Sequence, residues 1–251
     1  MPGTGVSPNV TAFKDQVAVV TGASSGIGKA IALALAAQNA ALCLVGRRLE
    51  TLEAVAENAR ATAPQVRCYR TDLTRDEDIS ELAARLQRDF ESIDLLVHSA
   101  GAISLGKLEN APVEDFDWQY RTNVRAPYVL TQVLLSRLRL RRGQIVFINS
   151  SAGLRATANL SQYAATKHAL KAIADSLREE VNAEGLRVLS VYPGRTASPM
   201  QAAVHEMEGR AYHPERLMQP EDVAAVVINA LSLPRSAEVT DIYIRPLLKP
   251  Y

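Results

Sequence analysis

Short apolar runs alternate along most of the chain with longer segments of helical periodicity. The apolar runs contain few polar positions, which is typical of parallel strands that are covered on both faces. The segments between them repeat apolar residues three and four positions apart, which predicts amphipathic helices. The predicted strands are 17–21, 41–46, 66–70, 93–98, 144–149, 187–192 and 239–245, and the predicted helices lie near 27–38, 49–61, 76–90, 114–141, 161–183 and 220–231.

This alternation predicts an α/β fold, a Rossmann-type doubly wound sheet of about seven mostly parallel strands with helices on both faces, in three α-β-α layers. No internal repeat or linker divides the 251 residues, so we expect a single domain over 1–251. Residues 1–13 are expected to form a flexible N-terminal tail. Thr74 and Glu77 have capping-box spacing before the third helix, and Pro220 suits the first turn of the last.

Three glycines, Gly22, Gly26 and Gly28, separate the first predicted strand from the first predicted helix. Glycine lets a pyrophosphate approach the backbone closely, and a helix N-terminus offers free N–H groups to an anion. The spacing differs from the common G-x-G-x-x-G pattern, and a tightly packed turn would use the same residues. Because the turn lies in the first β-α unit, phosphate binding is the favoured interpretation.

The end of the second strand carries Arg47 and Arg48 and no acidic residue. In dinucleotide-binding folds this strand end faces the adenosine ribose, where arginine pairs with a 2′-phosphate. The sequence therefore predicts NADP(H) in preference to NAD(H), the alternative being two ordinary surface arginines. Asp72, after the third strand, could meet the adenine amino group or could serve a turn.

Tyr163 and Lys167 are four residues apart in a predicted helix and so share one face. The ammonium is expected to lower the phenol pKa, which would provide an acid/base group near neutral pH. Ser150 ends the fifth strand, where its hydroxyl could hold a carbonyl oxygen. The backbone carbonyl of Asn123 could hold a water molecule that links Lys167 to solvent. A solvated helical pair and a turn serine are the alternatives, but the order of these residues after the glycine turn favours carbonyl–alcohol redox chemistry.

On these motifs the chain resembles the short-chain dehydrogenase/reductase superfamily, in the subtype with T-G-x-x-x-G-x-G and Y-x-x-x-K, over about residues 14–234. The resemblance implies a catalytic tetrad of Asn123, Ser150, Tyr163 and Lys167. It also implies that Pro193 and Gly194 shape the nicotinamide pocket, with Thr196 near the carboxamide. The cofactor-binding residues assigned are Gly22, Ser24, Ser25, Gly26, Ile27, Gly28, Arg47, Arg48, Asp72, Leu73, Ala100, Gly101, Tyr163, Lys167, Pro193, Gly194 and Thr196.

The chain departs from the family pattern at several positions. His98 and Ser99 stand where the family has two asparagines, and we interpret His98 as a core histidine rather than a catalytic base. Ser25 occupies a position where many NADP-preferring relatives carry a basic residue, so Arg47 and Arg48 alone would recognise the phosphate. The alternating segment 239–245 suits an edge strand.

The predicted activity is NADP(H)-dependent reduction of a carbonyl to a primary or secondary alcohol, or the reverse, with Tyr163 as proton donor. The alternatives are a 3-oxoacyl-carrier reductase, a redox-inactive NADP-binding sensor or scaffold, and an enoyl reductase or epimerase of the same superfamily. Segment 196–219 is the expected substrate lid, and 102–105 and 154–156 the opposite wall. The substrate, a small carbonyl or alcohol compound, is not identified by the sequence.

The composition of the chain indicates which partners and which cellular compartment to expect. The net charge is +1, with 22% charged residues, so neither nucleic acid nor a membrane is an expected partner. The basic cluster 137–142 is interpreted as a solvated helix end. Two cysteines, read as buried free thiols, and a start without signal-peptide character favour a cytoplasmic protein. No metal site is assigned. The family resemblance suggests a homotetramer or homodimer through the helices near 114–141 and 161–183.

Overall fold

The sheet of the protein has seven strands, all parallel, in the order β3-β2-β1-β4-β5-β6-β7. This computed structural model describes residues 12–248. The predicted Rossmann-type, doubly wound sheet is confirmed, and within these residues it is wholly rather than mostly parallel. The strands are β1 (Val17–Thr21), β2 (Ala41–Gly46), β3 (Val66–Arg70), β4 (Leu95–His98), β5 (Gln144–Ile148), β6 (Arg187–Pro193) and β7 (Asp241–Ile244).

Helices cover both faces of this sheet and complete the three predicted layers. One hydrophobic cluster packs the sheet against α1, α2 and α8, and a second packs the opposite face against α3, α5 and α6. Strands β5 and β6 are buried along their whole length, which explains why most of their residues are apolar. The helices are α1 (Gly26–Ala36), α2 (Leu49–Ala59), α3 (Asp76–Asp89), α4 (Val113–Tyr120), α5 (Ala126–Leu140), α6 (Ser161–Val181), α7 (Pro199–Met207) and α8 (Pro220–Leu231).

The strand order reverses between β1 and β4. The chain builds outward from β1 to β3 on one side and from β4 to β7 on the other. Connections leaving these two strands pass to opposite faces, which opens a crevice beyond their carboxyl ends. The topology therefore places a ligand site beside the turn after β1.

Several predicted boundaries differ from the structure. Residues 1–11 of the expected tail lie outside the described residues, but Phe13 is buried in the core, so residues 1–13 are not a tail throughout. The capping-box prediction at Thr74 and Glu77 was wrong. Helix α3 begins after Arg75 without a side-chain cap, and the Thr74 hydroxyl donates to Asp72 instead. The predicted start of α8 at Pro220 is confirmed.

A π-helical turn, Arg121–Arg125, interrupts the helix that the sequence predicts over 114–141. Helix α4 ends before this turn and α5 begins directly after it. A π-turn holds one more residue than an α-turn and is frequent at functional sites. Here it carries Asn123 into the interior while the chain continues as a helix.

His98 is fully enclosed at the end of β4. Its Nε2 lies 2.8 Å from the hydroxyl of Thr131, and its ring stacks on Phe147 with centroids 4.9 Å apart. Burial lowers the pKa of the imidazole to about 3. The interpretation of His98 as a satisfied core histidine agrees with this environment.

The basic cluster near the end of α5 is occupied by internal contacts. Arg137 donates to two backbone carbonyls, Arg139 pairs with Glu184, and Arg141 pairs with Asp94. These contacts agree with the interpretation of a solvated helix end. Within residues 12–248, no helix is both long and apolar enough to cross a bilayer.

Both cysteines are free thiols, as predicted, but only one is fully buried. Cys43 lies in the core of β2, whereas Cys68 on β3 is partly exposed. The edge position of β3 explains the difference, since its outer side has no neighbouring strand.

Candidate active site

A cleft of about 400 Å³ opens at the carboxyl ends of β1, β4, β5 and β6. It runs from the turn after β1 across the sheet to α6 and α7. Its position at the strand-order reversal is the one expected for a dinucleotide site. Of the residues assigned from the sequence, those that line it are Gly22, Ser24, Ser25, Gly26, Ile27, Arg47, Asp72, Leu73, Ala100, Gly101, Ser150, Tyr163, Lys167, Pro193, Gly194 and Thr196.

The turn between β1 and α1 requires glycine for steric reasons. Gly22 has φ +64°, and a Cβ there would lie 2.8 Å from the backbone of Ala100. Gly28 is packed against the turn, since a Cβ on it would lie 2.5 Å from the Gly22 carbonyl oxygen. Gly28, assigned to cofactor contact, does not line the cleft. The absence of a side chain at Gly28 instead lets α1 pack closely against the turn.

The first turn of α1 lines the cleft through Gly26 and Ile27 and suits an anion. Ser25, the residue before the helix, makes no side-chain capping bond, and the first turn contains no acidic residue. Uncapped N–H groups and the positive end of the helix dipole favour a phosphate at this point. Ser24, Ser25, Gly26 and Ile27 would therefore hold the pyrophosphate of a dinucleotide.

Thr21, the last residue of β1, ties this turn to the end of β4 and was missed by the sequence analysis. Its hydroxyl donates to the Val97 carbonyl and accepts from the N–H groups of Ser99 and Ala100, at 3.0 and 3.1 Å. These bonds fix the two loops that form one wall of the cleft. The threonine that precedes the glycine turn was visible as a signal, but its partners are 76 residues or more away along the chain.

One end of the cleft lies at β2 and β3, and one of the two arginines predicted to bind the cofactor phosphate lines it. Arg47 lines this end together with Asp72 and Leu73, whereas Arg48 does not. Arg48 precedes α2 and is exposed, so its assignment to the cofactor is not supported by its position. Asp72 closes a local turn by accepting from the N–H and the hydroxyl of Thr74, and it also lines the cleft.

Ser150, Tyr163 and Lys167 meet on the wall of the cleft formed by β5 and α6. Ser150 lies close enough to Tyr163 to lower the pKa of its phenol, and the Ser150 hydroxyl accepts from the Ala152 N–H at 3.1 Å. The Nζ of Lys167 lies 5.8 Å from the centre of the Tyr163 ring and donates to the Ile148 carbonyl at 3.0 Å. A hydroxyl, a phenol and an amine thus share one side of the cleft.

The predicted lowering of the Tyr163 pKa is wrong for this structure. Burial raises the pKa of the phenol to about 12, and the Ser150 hydroxyl opposes the shift only in part. Burial also lowers the pKa of Lys167 to about 8. Removing water disfavours a buried phenolate more than the ammonium, 5.8 Å from the ring, favours it. The phenol therefore keeps its proton at neutral pH.

Asn123 lies beneath the cleft rather than on its surface. Its side-chain oxygen accepts from the Ala102 N–H, and its amide nitrogen donates to the Ala102 carbonyl and to Thr166, at 2.8 and 3.0 Å. It thereby ties the loop after β4 to α6. The expected water on its backbone carbonyl stays a prediction.

Asn149 is a second residue that the sequence analysis missed. Its side-chain oxygen accepts from the Ser150 N–H, and its amide nitrogen donates to the Lys167 carbonyl. A Cβ on Gly153 would lie 2.5 Å from that oxygen. Asn149 thus holds the end of β5 and α6 at a fixed separation, which positions the hydroxyl and the amine.

The segment expected to be a substrate lid forms one wall of the cleft. It contains α7, and a bridge between Thr196 and Met218 joins its two ends. The hydroxyl of Ser198 caps α7, and Tyr212 lies against the Ser198 backbone. The opposite wall was predicted from the two segments 102–105 and 154–156. Ala102, Ile103 and Leu105 of the first line the cleft, whereas no residue of the second does.

A family model described as "short chain dehydrogenase" matches residues 16–209. The chain belongs to the short-chain dehydrogenase family. This short-chain dehydrogenase is 32% identical over 239 residues to an uncharacterized oxidoreductase of Staphylococcus aureus, covering 95% of this chain and all of that one.

Solved structures of relatives share the fold of this short-chain dehydrogenase. An alcohol dehydrogenase from the archaeon Thermococcus sibiricus, complexed with 5-hydroxy-NADP, matches with a TM-score of 0.85 at 26% identity, covering 92% of this chain and 97% of that one. A metagenomic short-chain oxidoreductase in complex with NADP matches with a TM-score of 0.81 at 29% identity, covering 95% and 100%. The protein is accordingly an oxidoreductase of this family.

Proposed function

We propose that this oxidoreductase uses NADP(H) to interconvert a carbonyl compound and its alcohol. The observation that carries the proposal is the meeting of Ser150, Tyr163 and Lys167 on the wall of a cleft that also contains the uncapped first turn of α1. The NADP complexes of two relatives support the choice of cofactor. NADPH, when bound, supplies the hydride.

The side chains of the cleft would bind the carbonyl oxygen of the substrate and supply the proton that it receives. Ser150 would donate a hydrogen bond to the carbonyl oxygen, and Tyr163 would protonate that oxygen as negative charge develops on it. The raised pKa of Tyr163 keeps the phenol protonated over the neutral range, which suits carbonyl reduction. Lys167, with its pKa near 8, is mainly charged at pH 7 and would stabilise the phenolate that remains.

Arg47 is proposed to select NADP(H). It lines the cleft at the end of β2, the strand end that faces the adenosine ribose in this class of fold. We expect Arg47→Ala to weaken NADPH binding about tenfold, because a charge-assisted pair with the 2′-phosphate is lost, and to leave NADH binding unchanged. Fluorescence titration with each cofactor measures both dissociation constants.

Arg48→Ala is the matched control for that titration. It removes the same charge from the next residue, whose side chain does not line the cleft. It should leave both dissociation constants unchanged. Equal affinities of the unaltered protein for NADPH and NADH would contradict the proposed preference.

The reaction itself is tested by following NADPH oxidation with ketones, aldehydes, quinones, steroids and 3-oxoacyl thioesters. Turnover with one of these classes is expected, and no turnover with any of them would favour the redox-inactive sensor or scaffold. The 3-oxoacyl-carrier alternative receives no support from the basic cluster 137–142. Arg139 and Arg141 are paired with acidic residues of the same chain rather than presented to an acidic carrier.

A homotetramer or homodimer in the cytoplasm is also proposed. Large apolar side chains are exposed on α4 and α5, within the first of the two segments that the family resemblance suggests, namely Phe116, Tyr120, Tyr128 and Leu140. Exposed apolar surface of this kind marks an interaction site. Sedimentation velocity measures the assembly, and a monomer at micromolar concentration would contradict it.

A further inference from the structure

A group of apolar side chains lines the cleft. Two of them, Ile103 and Leu160, pack against the small cluster formed by Ala152, Tyr163 and Ala164. Ile103 belongs to the loop after β4, which is tied to α4 by a 2.6 Å hydrogen bond from Ser104 to Asp115. The large apolar lining residues outside the sheet and outside the predicted cofactor positions are Ile103, Leu105, Trp118, Leu160, Met200 and Val204.

One ion pair lines the cleft on the side of α7. Arg195 follows Gly194 at the end of β6, and Glu208 directly follows α7. The guanidinium binds both carboxylate oxygens, at 2.9 and 2.5 Å, and each side chain is about a quarter exposed, at 28% and 23%. A two-point contact of this kind fixes both side chains and compensates both charges.

The other charged lining residues are accounted for elsewhere. Arg47 and Asp72 lie at the β2–β3 end, and Lys167 donates to a backbone carbonyl behind Tyr163. Among the described lining residues, Arg195 and Glu208 are therefore the charged pair on the side of α7. Arg210, whose guanidinium lies 3.7 Å from Glu208, is half exposed and does not line the cleft.

We propose that Glu208 determines substrate specificity. By holding Arg195 in this pair, it restricts the reaction to uncharged carbonyl compounds with apolar substituents. The proposal rests on the function proposed above and names the substrate class of the same cleft.

The physical reason is that an anionic substrate has no available cation on this wall. Its carboxylate would have to leave water for an apolar surface, or compete with Glu208 for Arg195 while lying close to a like charge. The hydrogen bonds from Arg195 lower the pKa of Glu208, so this carboxylate remains ionised at neutral pH. An uncharged apolar substrate avoids both the desolvation cost and the competition with Glu208. The specificity for uncharged substrates therefore comes from rejection of the anionic ones.

The test compares keto esters with their free acids, for example methyl levulinate with levulinate and methyl 4-acetylbenzoate with 4-acetylbenzoate. For the unaltered protein we expect kcat/KM to be at least about tenfold higher for the esters, as loss of one charged contact predicts. Glu208→Gln removes the carboxylate that binds Arg195 and should lower this ratio about tenfold by raising kcat/KM for the acids. Calorimetry should show tighter binding of 4-acetylbenzoate to the same variant.

Two controls isolate the effect. Glu206→Gln removes the same charge from an exposed position of α7 and should leave the ratio unchanged. Arg195→Gln combined with Glu208→Gln removes the cation on the side of α7 and should restore discrimination against the acids. If Glu208→Gln alone does not fold, the double variant still tests the proposal. Acids turned over by it as well as esters would show that the apolar surface does not exclude a carboxylate, which the proposal requires.

The outcomes separate the two proposals. Two results would overturn the role of Glu208 and leave the proposed carbonyl chemistry standing. One is that the unaltered protein reduces acids as well as esters, and the other is that Glu208→Gln leaves the ratio of the two kcat/KM values unchanged. Absence of NADPH oxidation with every carbonyl compound would instead overturn the proposed function.

Discussion

Tyr163→Phe is expected to lower kcat for carbonyl reduction by about 10²- to 10⁴-fold, the usual contribution of a positioned proton donor. The substitution removes the phenol hydroxyl and keeps the ring, so the packing of Ile103 and Leu160 against its cluster is retained. The dissociation constant for NADPH should therefore change little. Single-turnover measurements with saturating cofactor separate the chemical step from binding.

Tyr128→Phe provides the comparison, because it removes a phenol hydroxyl from an exposed position on α5. It should retain the kcat of the unaltered protein. Near-normal turnover by Tyr163→Phe would show that another group delivers the proton and would remove the basis for the assigned roles of Ser150 and Lys167.

His98 is expected to make the fold sensitive to acid. Its pKa is about 3 in the folded protein and 6.5 when exposed, so between these values the unfolded chain binds a proton that the folded protein does not. Stability is therefore complete above pH 6.5 and is lost as the pH falls towards 3. At pH 4.5, two units below the exposed value, the loss amounts to about 3 kcal/mol.

His98→Gln should remove this loss, since the amide can hydrogen-bond with Thr131 and stays neutral. Urea unfolding at pH 7 and pH 4.5 measures the effect, with the other titrating groups common to both proteins. His168→Gln, at an exposed position on α6, should retain the acid sensitivity. If His98→Gln lost as much stability as the unaltered protein, the buried imidazole would not be its source.

Local signals predicted most of the fold and the centre of the site. The glycine turn and the Tyr163–Lys167 pair depend on spacings within one element, and the apolar runs marked the strands. Thr21 and Asn149 were missed because their partners are set by strand register and by the packing of α6, which no local pattern encodes. Arg47 and Arg48 were assigned together, but only Arg47 lines the cleft, because adjacent residues at a helix start point in different directions.

The pKa of the Tyr163 phenol shows a second limit on what the sequence can predict. A four-residue spacing indicates that an amine and a phenol share a face, but it contains no information on how far water is excluded from them. Burial determined the direction of the shift at Tyr163 and His98, and burial is a property of the whole chain.

The π-turn at Arg121–Arg125 restricts changes of chain length in this region. Deleting one residue there would restore a continuous α-helix and rotate α4 by about 100° relative to α5. Trp118 would then leave the cleft, and Gln119 would lose its 3.0 Å hydrogen bond to Gln162 on α6. The orientation of α4 about its own axis is thus set by a single additional residue in this turn.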